Sequence, residues 1–360
     1  MAIMTYCFGY GITPPHIFEE IMKRGSRSQK KRAMNTLVLS GELRGRRQSI
    51  LNIHHLPEKS LKPKKNRLVY DAGNTDILPG RLIRREGSEN TLDIAAQEAY
   101  SGAGHTWDLY YDVCGRNSVN DRGMDLVSTV HYMKGYDNAF WNGDQMVYGD
   151  GDEDLPGEER LFNRFTVSLD IIGHELTHGI TQYEAQLAYR EQSGSLNESF
   201  SDIFGILVKQ RTLKQTAVEA NWLIGEGLFT ANVNARALRS MKEPGTAYDD
   251  PVVGKDPQPA HMNDYVHTVS DNGGVHINSG IPNRAFCLAA IELGGYAWEK
   301  AGRIWYAALK DKLREKSDFQ DAANITFRIA GELFGRGSTE QHAVYNGWEK
   351  VGITAGSTNG

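Results

Sequence analysis

The chain has 360 residues, 40% hydrophobic and 24% charged, the balance of an ordinary soluble globular enzyme with room for two domains. No window approaches the run of about 18 uncharged apolar residues that a membrane span needs, and three widely spaced cysteines, Cys7, Cys114 and Cys287, exclude a disulfide framework or a Cys-x-x-Cys site. The net charge of −5 is uneven: residues 1–50 carry nine Lys/Arg against three Asp/Glu, so a basic head precedes an acidic body on which it is expected to dock. The same imbalance also describes a basic arm for nucleic acid, but docking on the acidic body is the favoured expectation; neither nucleic acid nor membrane is expected as a partner.

The start of the chain lacks a basic segment followed by an apolar run, and Gly9, Gly11, Pro14 and Pro15 interrupt it, so no secretory signal is visible. A short helix is predicted from Ile17, followed by a polar, basic stretch, residues 23–32, that reads as a poor core former and a protease target. Leu37–Leu39 is a short apolar run, and residues 52–66, with Pro57, Pro63 and several lysines, read as a linker. Beyond it, Leu68–Tyr70 and Leu82–Ile83 are predicted as short strands, Ala95–Tyr111 as a helix, and Leu126–Tyr132 and Ala139–Tyr148 as strands rich in β-branched and aromatic residues. A long helix is predicted over Phe162–Gln182, and further helices over 285–293, 298–312 and 319–334. The order is an α+β arrangement: a mixed, β-rich half followed by a helical half.

The central motif is His174-Glu175-Leu176-Thr177-His178. Four residues apart on a helix, the two histidines share one face and can grip a single ion. Imidazole suits Zn²⁺, and Glu175 lies beside them to take a proton from metal-bound water. Glu198, on a second predicted helix twenty positions after His178, completes a two-His, one-Glu set with a fourth position open to water or substrate. Asp202, one helical turn beyond Glu198, is placed to accept the other ring N–H of His174. Two histidines satisfied in a helix interface are the bland alternative, but such a set of imidazole and acidic groups has no cheap packing rationale.

These residues belong to a longer pattern. The run DIIGHELTH from Asp170 to His178, with YDNAFW (Tyr136–Trp141), YGDGD (Tyr148–Asp152), ALRSM (Ala237–Met241) and DNGGVH (Asp271–His276), resembles the thermolysin family of metallopeptidases over residues 67–354. The resemblance implies a two-domain fold with the cleft between a β-rich half (67–182) and a helical half (183–354), acting as a zinc-dependent neutral endopeptidase. It implies that Tyr189 and His276 donate to the oxyanion, that Asp271 orients His276, that Asn138 and Ala139 hold an extended peptide, and that Arg239 grasps a substrate carbonyl. Phe162, Phe165, Ile171, Ile224, Leu228 and Leu238 match the family's first pocket beyond the scissile bond, which implies cleavage before bulky hydrophobic residues. Other zinc peptidases with the same ligand set, such as aminopeptidases, and a catalytically silent relative are the rival readings; intact Glu175, Tyr189 and His276 favour the active endopeptidase.

The chain also departs from the pattern. Asp170 and Glu226 match ligands of the family's double calcium site, yet Lys209, Asn221 and Leu223 stand at the others, and Arg236 replaces an aspartate at a further site. A lysine ammonium opposes a hard dication, so structural calcium is in doubt and Lys209 is expected to pair with Asp170 or Glu226 instead. Residues 1–51, with Thr13-Pro14-Pro15-His16-Ile17, resemble the short proline-proline propeptide of the protealysin branch. That implies an inhibitory propeptide bound in cis and removed by a cut between Arg44 and Lys65. Cys7 and His16 are candidates to reach the zinc in the precursor. The resemblance further implies a monomer acting outside the cell, exported without a recognisable signal, with cytoplasmic retention as the alternative.

Overall fold

A computed structural model of the chain describes residues 11–50, 63 and 65–356, the backbone alone for 42–50. The head forms two helices, α1 (Pro15–Arg24) and α2 (Arg27–Ile50). Pro15 opens α1, where its missing N–H is no loss, and Ile17, Phe18 and Ile21 bury one face of it. Residues 27–32, expected to be loose, are helical. The stretch has no apolar period, but α2 presents a polar stripe instead: Gln29 to the Glu159 carbonyl, Arg32 to the Gly151 carbonyl, Thr36 to the Asp137 N–H and Ser40 to the Tyr136 hydroxyl.

The body opens with strands β1 (Arg67–Asp71) and β2 (Arg81–Arg85), helix α3 (Ile94–Cys114), then β3 (Leu126–Val130), β4 (Ala139–Trp141) and β5 (Met146–Tyr148). The Asp93 carboxylate caps α3 by accepting from Ala96 N, and Gly115 in the left-handed region ends it. The five strands form one sheet in the order β2-β1-β3-β5-β4. β1, β3 and β5 run parallel, while β2 and β4 pair antiparallel at the two edges. An edge strand keeps unpaired backbone groups, and those of β4 face the cleft.

Helix α4 spans Leu169–Tyr183 rather than starting at Phe162, with only a 3₁₀ turn at Phe165–Val167 before it. The segment before it is held out of helical geometry, with Arg164 and Ser168 extended, by partners remote in sequence. Leu161 and Phe162 N–H bond the Asp152 carboxylate, Asn163 N–H the Leu228 carbonyl, and Phe165 N–H the Gly149 carbonyl. Helix α5 (Glu191–Leu213) crosses α4 closely: a Cβ at Gly205 would collide with the Asp170 carbonyl, so only glycine permits the approach. Two short antiparallel pairs follow, β6 (Leu223–Ile224) with β7 (Arg239–Ser240) and β8 (Asp249–Asp250) with β9 (Gly254–Lys255). The remainder is helical: α6 (Asp271–Asn278), α7 (Gly280–Leu293), α8 (Ala301–Ala307) passing into a π turn, α9 (Phe319–Phe334) and α10 (Thr339–Glu349). No helix among the described residues is long and apolar enough to cross a membrane.

Lys209 on α5 lies where the calcium pattern breaks. Its ammonium donates to Asp170 at 3.1 Å, to Glu226 at 3.0 Å and to the Leu223 carbonyl at 3.3 Å, which uses all three N–H groups. Burial alone would lower the lysine's pKa; Asp170 and Glu226 outweigh it and raise the pKa. Asp170 is fully buried, so removing its partner strands a carboxylate. Lys209→Met is therefore expected to lower stability by about 3 kcal/mol, and millimolar calcium is expected to leave the wild-type melting temperature within about 1 °C. Thermal melts of both chains with and without calcium check this; a strong calcium-dependent rise in the wild type would show that an ion, not the ammonium, belongs here.

Candidate active site

α4 and α5 place the metal-ligand candidates face to face. The His174 and His178 Nε2 atoms are 3.0 Å apart, and ligand atoms of His174, His178 and Glu198 all lie within 4.8 Å of one another. Each imidazole has its outer nitrogen engaged: His174 Nδ1 with Asp202 at 2.8 Å, His178 Nδ1 with Asn197 at 2.8 Å and Ser201 at 3.1 Å. With N–H on Nδ1, both Nε2 lone pairs point at the same spot, an arrangement that repels unless a cation lies between them. Glu198 Oε2 is buried without a hydrogen-bond partner among the described residues. A tetrahedral zinc would hold two nitrogens about 3.3 Å apart, so the donor set fits the ion.

Asp202 is itself braced. It accepts from Arg239 Nε and Nη2 at 2.9 and 2.8 Å, and from Asn283 at 2.8 Å. Burial would raise its pKa, but Arg239 beside it pulls the carboxyl down to about 2. Glu175 is 1% exposed; its Oε2 accepts the Trp141 N–H at 2.9 Å and its Oε1 has no partner among the described residues. Desolvation raises its pKa above the usual carboxylate value, a direction that suits a proton acceptor near neutral pH. The edge strand β4 thus spends one free backbone donor on fixing this carboxylate.

From α6, His276 reaches the same cavity. Asp271 to Gly274 all adopt left-handed conformations, and this tight entry lets the Asp271 carboxylate hold both the His276 N–H at 2.8 Å and Nδ1 at 2.7 Å. Burial opposes the charged imidazole, but Asp271 and Glu198 raise its pKa to about 9. Tyr189 OH lies 3.2 Å from His276 Nε2 and also bonds Glu198; burial pushes the phenol well up, so it stays a donor.

The head lies in this cleft. Ile12 N–H donates to the Ala139 carbonyl at 3.1 Å and Thr13 N–H to Asn138 Oδ1 at 3.0 Å. Arg239 Nη1 donates to the Ile12 carbonyl at 3.1 Å, and His276 Nε2 is 3.2 Å from the Gly11 carbonyl. Ile12 is fully buried and joins the same hydrophobic core as Phe162, Phe165, Ile171, Ile224, Leu228 and Leu238, each at most 1% exposed. Asn138, Ala139, Arg239 and His276 thus all touch the segment Gly11–Thr13, next to the grouped His174, His178 and Glu198. His16 bonds the Tyr248 hydroxyl at 2.7 Å rather than the zinc ligands, and burial lowers its pKa to about 4. Cys7 lies outside the described residues. Sequence reasoning missed Asn197, whose place one residue before Glu198 was the available signal, and Trp141, whose contribution is a backbone N–H that no side chain advertises.

With His174, His178 and Glu198 grouped for one metal ion beside the buried Glu175, the site is that of a zinc metallopeptidase. Comparison with known proteins is consistent throughout. Residues 54–182 match the thermolysin metallopeptidase catalytic domain and residues 185–353 its alpha-helical domain. An extracellular metalloprotease of Pectobacterium carotovorum subsp. carotovorum is 49% identical over 347 residues, 95% of this chain and 96% of that protein. Protease PrtS of a Photorhabdus strain is 45% identical, covering 95% of this chain and 92% of its own length. The solved precursor of protealysin, a metalloproteinase from Serratia proteamaculans, superposes with a TM-score of 0.86 at 48% identity, over 96% of this chain and 99% of that one. The chain belongs to the thermolysin family of zinc metallopeptidases, and its two-domain fold is that family's.

Proposed function

We propose that this chain is a latent neutral endopeptidase that cuts on the N-terminal side of bulky hydrophobic residues, and that its own head holds it silent. The observation that carries the reading is the seating of Ile12. Its N–H and carbonyl are gripped by Ala139 and Arg239, its side chain is fully buried, and the Gly11 carbonyl faces His276. The head therefore occupies the cleft in the register of a substrate, with the Gly11–Ile12 bond at the position of the bond to be cut. The closest precedent in kind is strand addition, in which an edge strand supplies the main-chain bonds and a pocket supplies specificity.

In the working enzyme, residues 1–51 have left after a cut between Arg44 and Lys65, and a substrate replaces them. When bound by His174, His178 and Glu198, zinc supplies Lewis-acid polarisation of the scissile carbonyl and acidifies water. Glu175 accepts the water proton on Oε1 and passes it to the leaving amine. Tyr189 and His276 donate to the developing oxyanion, Asp271 keeps His276 aimed, and Asp202 fixes the His174 tautomer. Asn138 and Ala139 hold the chain extended. A Leu-sized side chain buried among Phe162, Phe165, Ile171, Ile224, Leu228 and Leu238 contributes about 1.5–3 kcal/mol, enough to favour hydrophobic residues after the cut without excluding others. The Pectobacterium carotovorum relative is named as extracellular, and we propose that this enzyme also acts outside the cell, as a monomer.

Incubating the purified precursor, following its mass and mapping cuts in an end-blocked peptide library tests this. Loss of a head of 44–65 residues, followed by internal cuts before Leu, Ile and Phe, is expected. Cuts confined to free amino termini would instead favour an aminopeptidase.

A further inference from the structure

The head anchors a second place on the body, away from the ligands and the pocket. Arg32 of α2, only 12% exposed in its side chain, lies across the Asp152 and Asp154 carboxylates. It donates through Nη1 to the Gly151 carbonyl at 3.2 Å, stands 3.5 Å from Asp152 Oδ1, and donates through Nη2 to Asp154. Gly135 lies against the same guanidinium, which a Cβ there would meet. Beside it, Asp137 is 3% exposed and its Oδ1 has no hydrogen-bond partner among the described residues, as has Asp152 Oδ1. Burial and Asp152 push the Asp137 pKa well up, and Arg32 acts against them. Lys134 approaches Asp154 only at 3.6 Å with a 74% exposed side chain, and Asp150 is committed to His131. When the head leaves, its guanidinium goes with it and these groups stay.

We propose that the processed enzyme carries, at Asp137, Asp152, Asp154 and the Gly151 carbonyl, a preformed seat that binds an arginine side chain of a protein substrate. Asp137 adjoins Asn138, which holds the residue after Ile12, so the seat flanks the side of the cleft that follows the cut bond. A planar fork fits because Arg32 already fits it. Calcium is the rival occupant, since the set is all oxygen; but Asp152 Oδ2 is already taken by the Leu161 and Phe162 N–H groups, which leaves a thin cage for a hard ion. The proposal rests on removal of the head, and Arg32→Ala in the full chain opens the same seat without any removal.

The test is a thermal melt with N-acetyl-arginine amide and its neutral isostere N-acetyl-citrulline amide. The arginine compound is expected to raise the melting temperature saturably, by about 1 °C or more, in the processed chain and in full-length Arg32→Ala. The citrulline compound is expected to have no effect, and neither compound is expected to act on the unprocessed wild type or on processed Asp154→Asn. The arginine compound should also slow casein hydrolysis while leaving a short blocked peptide, which ends before the seat, unaffected. Equal responses to the two compounds, a response that survives Asp154→Asn, a shift with calcium but not with arginine, or unaltered casein hydrolysis would each overturn the proposal. If no processed chain forms but Arg32→Ala responds, the failure lies in the latency reading and not in the seat.

Discussion

Glu175→Gln is expected to lower kcat on an end-blocked peptide roughly 1000-fold while metal content and melting temperature stay at wild-type values. The substitution keeps the shape of the side chain, and its amide oxygen can still accept the Trp141 N–H that fixes Glu175 at 2.9 Å. What it removes is basicity at Oε1, the atom that the surrounding protein leaves without a partner. The pKa of this carboxyl is held above the usual range by burial, with His178 and His174 opposing, so the wild-type group is poised to take and return a proton. An amide cannot do either. Residual activity above about a tenth of wild type would place the proton transfer elsewhere.

Ile12→Asp is expected to raise the initial activity of the unprocessed chain on a short peptide by about 100-fold over the unprocessed wild type. Ile12 is fully buried, and the groups around its backbone are a carbonyl, an amide and a guanidinium already engaged with Asp202. An aspartate side chain there would put a charge in a fully buried place now filled by an apolar side chain, so the docked head loses ground to the open state. Initial rates, with gels showing the head still attached, separate this from faster processing. Unchanged rates in an intact chain would mean that the head does not limit access to the cleft.

Much of the site was legible because its chemistry is carried by side chains at short, rigid spacings. The pair His174 and His178 needs only the helical period, and Glu198 with Asp202 needs one more turn of a second helix. The same holds for Lys209, whose single positive charge among calcium-ligand positions announced an ion pair, and the ammonium indeed reaches both Asp170 and Glu226. The start of α4 was not legible. Its predicted beginning at Phe162 followed apolar spacing, whereas the observed start at Leu169 follows the capture of the 161–165 amides by Asp152, Gly149 and Leu228, partners remote in sequence.

The head shows the same limit more strongly. Residues 27–32 have the composition of a solvated segment, and α2 has no apolar face to betray it. Its order derives from polar groups at helical spacing that meet complementary groups on the body: Gln29, Arg32, Thr36 and Ser40. Half of that pattern is in the partner surface, so it cannot be read from the helix alone. Likewise the thread of Gly11–Thr13 through the cleft depends on backbone groups of β4, which composition does not reveal.

The most direct test of the account is zinc titration into processed enzyme stripped by a chelator. Hydrolysis of an end-blocked peptide is expected to vanish on stripping and to return linearly to a plateau at about one zinc per chain, the capacity of a single two-His, one-Glu site. In His178→Ala the same titration is expected to restore less than about a hundredth of that activity. Hydrolysis that survives complete stripping, or that returns in His178→Ala as fully as in the wild type, would contradict the account.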